Sequence, residues 1–381
     1  MKILFLDQSG KPGGAELCLI DIAKPYRNNC LVGLFADGYF KELLEKNHIR
    51  VQVLTNQSIQ VKKESSLTQG LASITQLVPL VTKVIKIAKN YDLIYANTQK
   101  ALVITAISSF FSRIPFVFHL HDILSPEHFS QTNRRIAVTL ANRASLVIAN
   151  SQASKKAFVE AGGKADKIEV VYNGFDPKTY INKESEIKQI RQKLELDDKF
   201  IVGHFSRIAP WKGQHILIEA LAKCPPEVAV ILVGDALFGE QDYDKKLHQQ
   251  IDALQLQNRV KFLGFRNDIP LLMGACDLVA HTSTSPEPFG RVIVEAMLSG
   301  TPVVAAASGG AVELVEPGIN GFLATPGNPQ ELTGVINTCL QHKQKTDAIA
   351  KTARNSASER FNVANINQQI AQLLERLTVN S

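Results

Sequence analysis

The sequence predicts an α/β protein made of two doubly wound parallel-sheet domains, and three observations carry that expectation. Short apolar, β-branched runs alternate with helical patterns along the 381 residues, as in parallel sheets wrapped by helices on both faces. The alternation pauses over one polar segment and then resumes. The chain is also longer than one hydrophobic core usually serves, so two domains of roughly 180 residues each are expected.

In order, the first strands are read at KILFLD, CLVGLFAD, VQVL, LIYANT, FVFHLH, LVIANS and IEVVYN, giving a first domain over residues 1–180. Residues 175 to 198, FDPKTYINKESEIKQIRQKLELDD, begin with little apolar periodicity, which places a linker at 181–198. FIVGHFS, VAVILVGD, RVKFLGF, DLVAHTS, TPVVAAA and GFLAT follow as strands of a second domain over 199–355. The segment 356–381 contains Ile366, Ile370, Leu373, Leu374 and Leu377 at helical spacing. It predicts an amphipathic terminal helix whose apolar face packs back toward the first domain. Two such domains are expected to face a cleft at the carboxyl ends of their strands, where open α/β sheets bind ligands.

Composition narrows the class. Hydrophobic residues make up 45% and charged residues 20%, as in an ordinary soluble globular protein. Lys2 is followed by four apolar residues before Asp7, and no uncharged apolar stretch approaches the ~20 residues that span a bilayer. A cytoplasmic protein is expected. Cys18, Cys30, Cys224, Cys276 and Cys339 are odd in number and include no CxxC pair, which favours reduced thiols over disulfides or a zinc site. Residues 1–180 hold 22 Lys and Arg against 14 Asp and Glu, so the net charge of +6 comes from that half. The excess suggests an anionic partner, either a membrane surface or an anionic substrate. Basic clusters interleaved with aromatics are absent, so nucleic acid is not expected.

RIAPWKGQHILIEAL, after FIVGHFS, sets Arg207 and Lys212 in one loop before a helix that Gly213 begins. Two cations at a helix N-terminus suit a phosphate or diphosphate and could neutralise it without a metal. QSGKPGGAEL, residues 8 to 17, places Gly13 and Gly14 between the first strand and first helix. It reads either as a substrate-contacting loop or as a glycine turn feeding the helix; its spacing is not the GxGxxG of dinucleotide binding. FVFHLHDIL puts His119 and His121 on one strand face, with His121 nearer the strand end and His119 in the core. No His, Asp and Glu set has metal-ligand spacing.

SPEPFGRVIVEAM, residues 285 to 297, sets Glu287 in a loop and Glu295 on an apolar helix eight positions later. An acid before a helix is favourable by itself, but a carboxylate among Val292, Ile293, Val294, Ala296, Met297 and Leu298 needs partners. AASGGAVELV adds a further strand, glycine loop and helix.

With these residues in order, the chain resembles glycosyltransferase family 4, retaining enzymes of the GT-B fold. Glu287 and Glu295 fit its E-x7-E signature; SRIAPWKG is similar to its phosphate-binding Arg and Lys, and His121–Asp122 to its cleft histidine position. The resemblance implies transfer of a sugar from a nucleotide diphosphate, UDP-glucose or a relative first and GDP-mannose next, with no metal or other cofactor. It implies that Glu295 holds the ribose hydroxyls, Glu287 the donor sugar, and the backbone of Phe289, Gly290 and Arg291 the sugar or phosphate. Phe265 and Arg266 would receive the base, His121 the sugar or reacting face, and Arg207 and Lys212 the departing diphosphate. Same-face attack, with the leaving phosphate taking the acceptor proton, requires no protein base. Pro288 and Arg291 depart from the family pattern beside the donor sugar. The first domain would bind the acceptor, a glycan or lipid-linked saccharide in envelope or exopolysaccharide synthesis. LVPLVTKVIKIAKN, with Lys83, Lys86 and Lys89, suits either peripheral contact with an anionic membrane or a packed helix with a lysine-rich face. A nucleotide-sugar epimerase and a non-catalytic nucleotide-sugar-binding subunit are the alternatives. Hydrolysis by two carboxylates would leave Arg207 and Lys212 without a role.

Overall fold

All thirteen apolar runs form strands, and each pairs only in parallel. The computed structural model describes residues 1–55, 67–237 and 239–379. It divides into two units, one of Met1–Gly174 with Val363–Ser381 and one of Phe175–Asn362.

The first unit holds β1 (Ile3–Asp7), β2 (Cys30–Leu34), β3 (Val51–Val53), β4 (Leu93–Ala96), β5 (Phe116–Leu120), β6 (Leu146–Ala149) and β7 (Ile168–Val170), in the order β3-β2-β1-β4-β5-β6-β7. Its central strands are buried along their whole length, which is why they read as continuous apolar runs and not as alternating ones. Two cores cover the two faces. Helix Val363–Val379 completes one of them: Ile366, Ile370 and Leu374 are buried in it, and Asn367 donates to the Asp21 carbonyl at 2.9 Å. The terminal helix thus belongs to the first unit.

The second unit holds β8 (Phe200–Phe205), β9 (Val228–Val233), β10 (Val260–Gly264), β11 (Leu278–His281), β12 (Val303–Ala306) and β13 (Phe322–Ala324), in the order β10-β9-β8-β11-β12-β13. Residues 181–198, expected as a linker, contain helix Glu184–Lys193 in this unit. Its Ile190 is buried, and Arg191 bonds the Ala275 carbonyl at 2.9 Å and Asp277 at 3.1 Å. A helix whose only apolar residues are Ile187 and Ile190 has little hydrophobic periodicity to reveal it.

Among the described residues no helix is long and apolar enough to cross a membrane. In helix Leu67–Ala88, Leu80, Val81 and Val84 lie in the core, and Lys83 donates to the Leu54 carbonyl at 3.0 Å. Part of this helix is thus packed, while Lys86 and Lys89 are exposed.

Candidate functional site

In the second sheet the strand order reverses direction between β8 and β11, the point at which open parallel sheets take ligands. The loops after these two strands meet there. Pro210–Lys212 form a single tight turn, and Gly213 leaves it at φ +74°, where a Cβ would lie 2.0 Å from the Thr282 carbonyl oxygen. Only glycine permits that approach. Thr282 Oγ1 lies 3.0 Å from the Lys212 carbonyl and 2.9 Å from that of Gly213, so the hydroxyl ties the loops together. Beneath them His204 Nε2 lies 3.0 Å from Thr282 Oγ1, and burial pushes this imidazole down to about 3, so it is neutral.

Lys212 rises from the turn and donates to both oxygens of Glu287, at 3.0 Å to Oε1 and 2.8 Å to Oε2. Oε2 also accepts from Ser283 Oγ at 2.9 Å and faces His281 Nε2 at 3.2 Å. The pair is largely dry, with side-chain exposures of 15% for Lys212 and 12% for Glu287. Burial works against the Glu287 charge, but the Lys212 ammonium and the bonds from His281 outweigh it and hold the carboxyl far below the usual range. The Lys212 ammonium also lies 3.9 Å from the centre of the Trp211 ring, and the Arg207 guanidinium lies 5.6 Å from the same ring. One indole therefore gathers both predicted phosphate-binding cations.

The Glu287 backbone is fixed from β12. Gly310 N donates to the Glu287 carbonyl at 2.7 Å, and a Cβ on Gly309, at φ +63°, would stand 2.3 Å from that oxygen. The Gly309–Gly310 turn thus pins the acidic loop.

Helix Arg291–Ser299 follows, entered through Gly290 at φ +93°. Ile293, Val294, Ala296, Met297 and Leu298 are buried; Glu295 lies 3.6 Å from Arg291 one turn earlier. The Arg291 guanidinium stacks 4.4 Å above Phe175. Phe289 is buried against Phe175 and Phe361, with ring centres 6.4 and 5.9 Å away. Its side chain belongs to the core, so only its backbone faces the role expected of it. Phe265 and Arg266 follow β10, two strands from β8; Phe265 is exposed, and Arg266 donates to both Asp268 oxygens at 2.8 and 2.6 Å. Among the described residues the guanidinium of Arg266 is paired with Asp268 and not with Glu287.

In the first sheet the reversal lies between β1 and β4. Gly13 precedes helix Gly14–Ala23 and donates its N–H to Glu16 Oε2 at 2.8 Å. Asn97, just after β4, donates to Asp7 Oδ2 at 2.7 Å and to the Ala15 carbonyl at 3.1 Å. Its Oδ1 is thereby left to accept from His121 Nε2, 2.9 Å away, which fixes that ring's proton on Nε2. His119 is buried with Nδ1 2.8 Å from the Tyr95 hydroxyl. Cys18, His119 and His121 offer atoms within 4.8 Å of one another. The two imidazoles lie 3.9 Å apart with planes tilted by 33°, and His119 Nδ1 and His121 Nε2 already face Tyr95 and Asn97.

Comparison with known proteins decides the family. The model of "Glycosyl transferases group 1" matches residues 186–356, and that of "Glycosyltransferase Family 4" matches residues 12–179. HepE of Anabaena, solved in complex with UDP-glucose, is 67% identical and covers 99% of this chain and 100% of its own, at a TM-score of 0.93. The chain belongs to glycosyltransferase family 4. HepE was also solved with UDP and with UDP and glucose, at TM-scores of 0.90 and 0.93. Among curated relatives, spore coat protein SA of Bacillus subtilis is 31% identical over 55% of this chain and 59% of its own length. D-inositol 3-phosphate glycosyltransferase of Mycobacterium marinum is 35% identical over 46% of this chain and 37% of its own. The matches thus span less than two thirds of either relative.

Sequence reasoning named Arg207, Lys212, Glu287 and Glu295 and missed what holds them. Ser283 and His281 carried no motif, and Trp211, the chain's one tryptophan, stands between the two cations in SRIAPWKG but was given no role there.

Proposed function

We propose that this family 4 chain is a retaining hexosyltransferase that uses UDP-glucose, or a close UDP-sugar, and a glycan or lipid-linked saccharide acceptor. The observation that carries the reading is the Lys212–Glu287 pair at the sheet's switch point, beside Arg207 on the same indole. It sets cations for a diphosphate next to a carboxylate for sugar hydroxyls. HepE, so similar along its whole length, was solved with UDP-glucose, which favours the uridine donor over GDP-mannose.

In this reading Arg207 and Lys212 hold the diphosphate and stabilise the charge that grows on it as the bond to the anomeric carbon breaks. Glu287 reads the sugar and Glu295 the ribose. The acceptor oxygen bonds the anomeric carbon from the face the phosphate leaves, and the departing phosphate takes the acceptor proton. The first unit binds the acceptor, at the Gly13–Gly14 turn after β1, and His121, just after β5, serves the sugar or the reacting face.

Calorimetric titration with UDP, GDP and UDP-glucose, without added metal, tests the donor. Binding of UDP and UDP-glucose, weakened in Arg207→Ala and Glu295→Ala, supports it. A folded protein that binds no nucleotide sinks it. Conversion of a UDP-sugar to its epimer without acceptor would replace transfer by epimerisation.

A further inference from the structure

Glu287 does not hold its two oxygens equally. Among the described residues Oε2 has three donors in reach, Lys212 at 2.8 Å, Ser283 at 2.9 Å and His281 at 3.2 Å, whereas Oε1 has Lys212 alone, at 3.0 Å. His281 ends β11 and is almost wholly buried. Its Nδ1 is also buried and has no hydrogen-bond partner, so a proton there would be stranded. The ring's proton belongs on Nε2, within 3.2 Å of both Glu287 Oε2 and Ser283 Oγ.

We propose that His281, with Ser283, is a positioning residue that keeps Glu287 aimed when a diphosphate draws Lys212 away, leaving Oε1 to accept a sugar hydroxyl. The inference rests on the donor reading above and adds to it an order of exchange. A diphosphate carries more negative charge than one carboxylate, so it competes for the Lys212 ammonium. Glu287 then remains a buried carboxylate with two donors, His281 and Ser283, both on Oε2, and an unmet acceptor at Oε1. A donor sugar hydroxyl fills that position; UDP alone does not. His281 and Ser283 therefore favour the complete nucleotide sugar over its nucleotide by preventing the freed carboxylate from turning away.

The readout is the ratio of UDP-glucose affinity to UDP affinity, measured by calorimetry at one pH for wild type, Ser283→Ala, His281→Ala and His281→Gln. Ser283→Ala removes one hydroxyl only, and retained UDP binding reports that each variant is folded. The ratio is expected to fall roughly ten-fold in His281→Ala, about the worth of one hydrogen bond to a charged group. A smaller fall is expected in Ser283→Ala, and recovery in His281→Gln, whose amide can donate from a similar place. Equal losses for both ligands, or an unchanged ratio, would overturn the positioning role while leaving the donor reading intact. Failure of the wild type to bind either ligand overturns the donor reading, and this inference with it.

Discussion

Lys212 and Glu287, 75 residues apart in the chain, form one buried ion pair in which the ammonium reaches both carboxylate oxygens within 3.0 Å. The family resemblance gives them different parts of the donor, the diphosphate to Lys212 and the sugar to Glu287. In the structure each is the other's partner, and that mutual neutralisation lets two charges stand at a dry strand end.

The pair should show itself in stability. Lys212→Met leaves Glu287 buried without its ammonium partner, and breaking a buried pair commonly costs about 3–5 kcal/mol. Adding Glu287→Gln removes the stranded charge. Urea denaturation is expected to show the double variant more stable than Lys212→Met; if it is equally or less stable, the two residues are not energetically coupled.

The turn beneath the pair has no room for a side chain. Gly213→Ala sets a methyl 2.0 Å from the Thr282 carbonyl oxygen at a left-handed backbone. The loops after β8 and β11 must part, taking Lys212 and Glu287 out of register. A lower melting temperature together with weaker UDP-glucose binding is expected, whereas Gly318→Ala, with nothing within 4 Å of the added carbon, should leave nucleotide binding intact.

Phe289 links the site to its support. Its ring packs on Phe175 and Phe361, so Phe289→Ala should destabilise the protein by about 3–5 kcal/mol. Phe289→Leu should recover much of this. Thermal melts of the two variants distinguish this from a ligand-facing role, in which stability would change little.

The strands were legible because burial on both faces turns each into an uninterrupted apolar run, as VAVILV of β9 shows. Helix Glu184–Lys193 was not, because it meets the core through Ile190 and leaves a polar surface. Within the site, Arg207, Lys212 and Glu287 were recognisable by residue type in the loops after strands. Their pairing was not: it depends on which strands are neighbours, and β8 pairs with β11 across two intervening strands in sequence. His281 was hidden for a related reason, since a histidine closing an apolar strand reads as a core residue until its neighbour in space is known. Asn97 likewise sat within a predicted strand segment, and only the pairing of β1 and β4 brings it to Asp7.

That same meeting of β1 and β4 predicts a pH dependence. Asp7 ends β1 fully buried, and Glu16 lies in the first turn of the following helix, nearly as buried. Burial pushes Glu16 up to about 8, the charge of Asp7 adding to the effect, and pushes Asp7 up to about 6 against the bond from Asn97. In the unfolded chain they titrate near their ordinary values of 4.5 and 3.8. The folded protein therefore binds these protons more tightly than the unfolded one, so their contribution is complete below about pH 4 and is lost as pH rises through 6 and then 8. Glu16→Gln keeps an oxygen to accept the Gly13 N–H and carries no charge to bury. The wild type should melt at progressively lower temperature between pH 5 and pH 9, and Glu16→Gln should fall less steeply over the same range. Parallel curves for the two proteins would mean that Glu16 is not protonated in the folded state, and that Gly13 and solvent carry its charge after all.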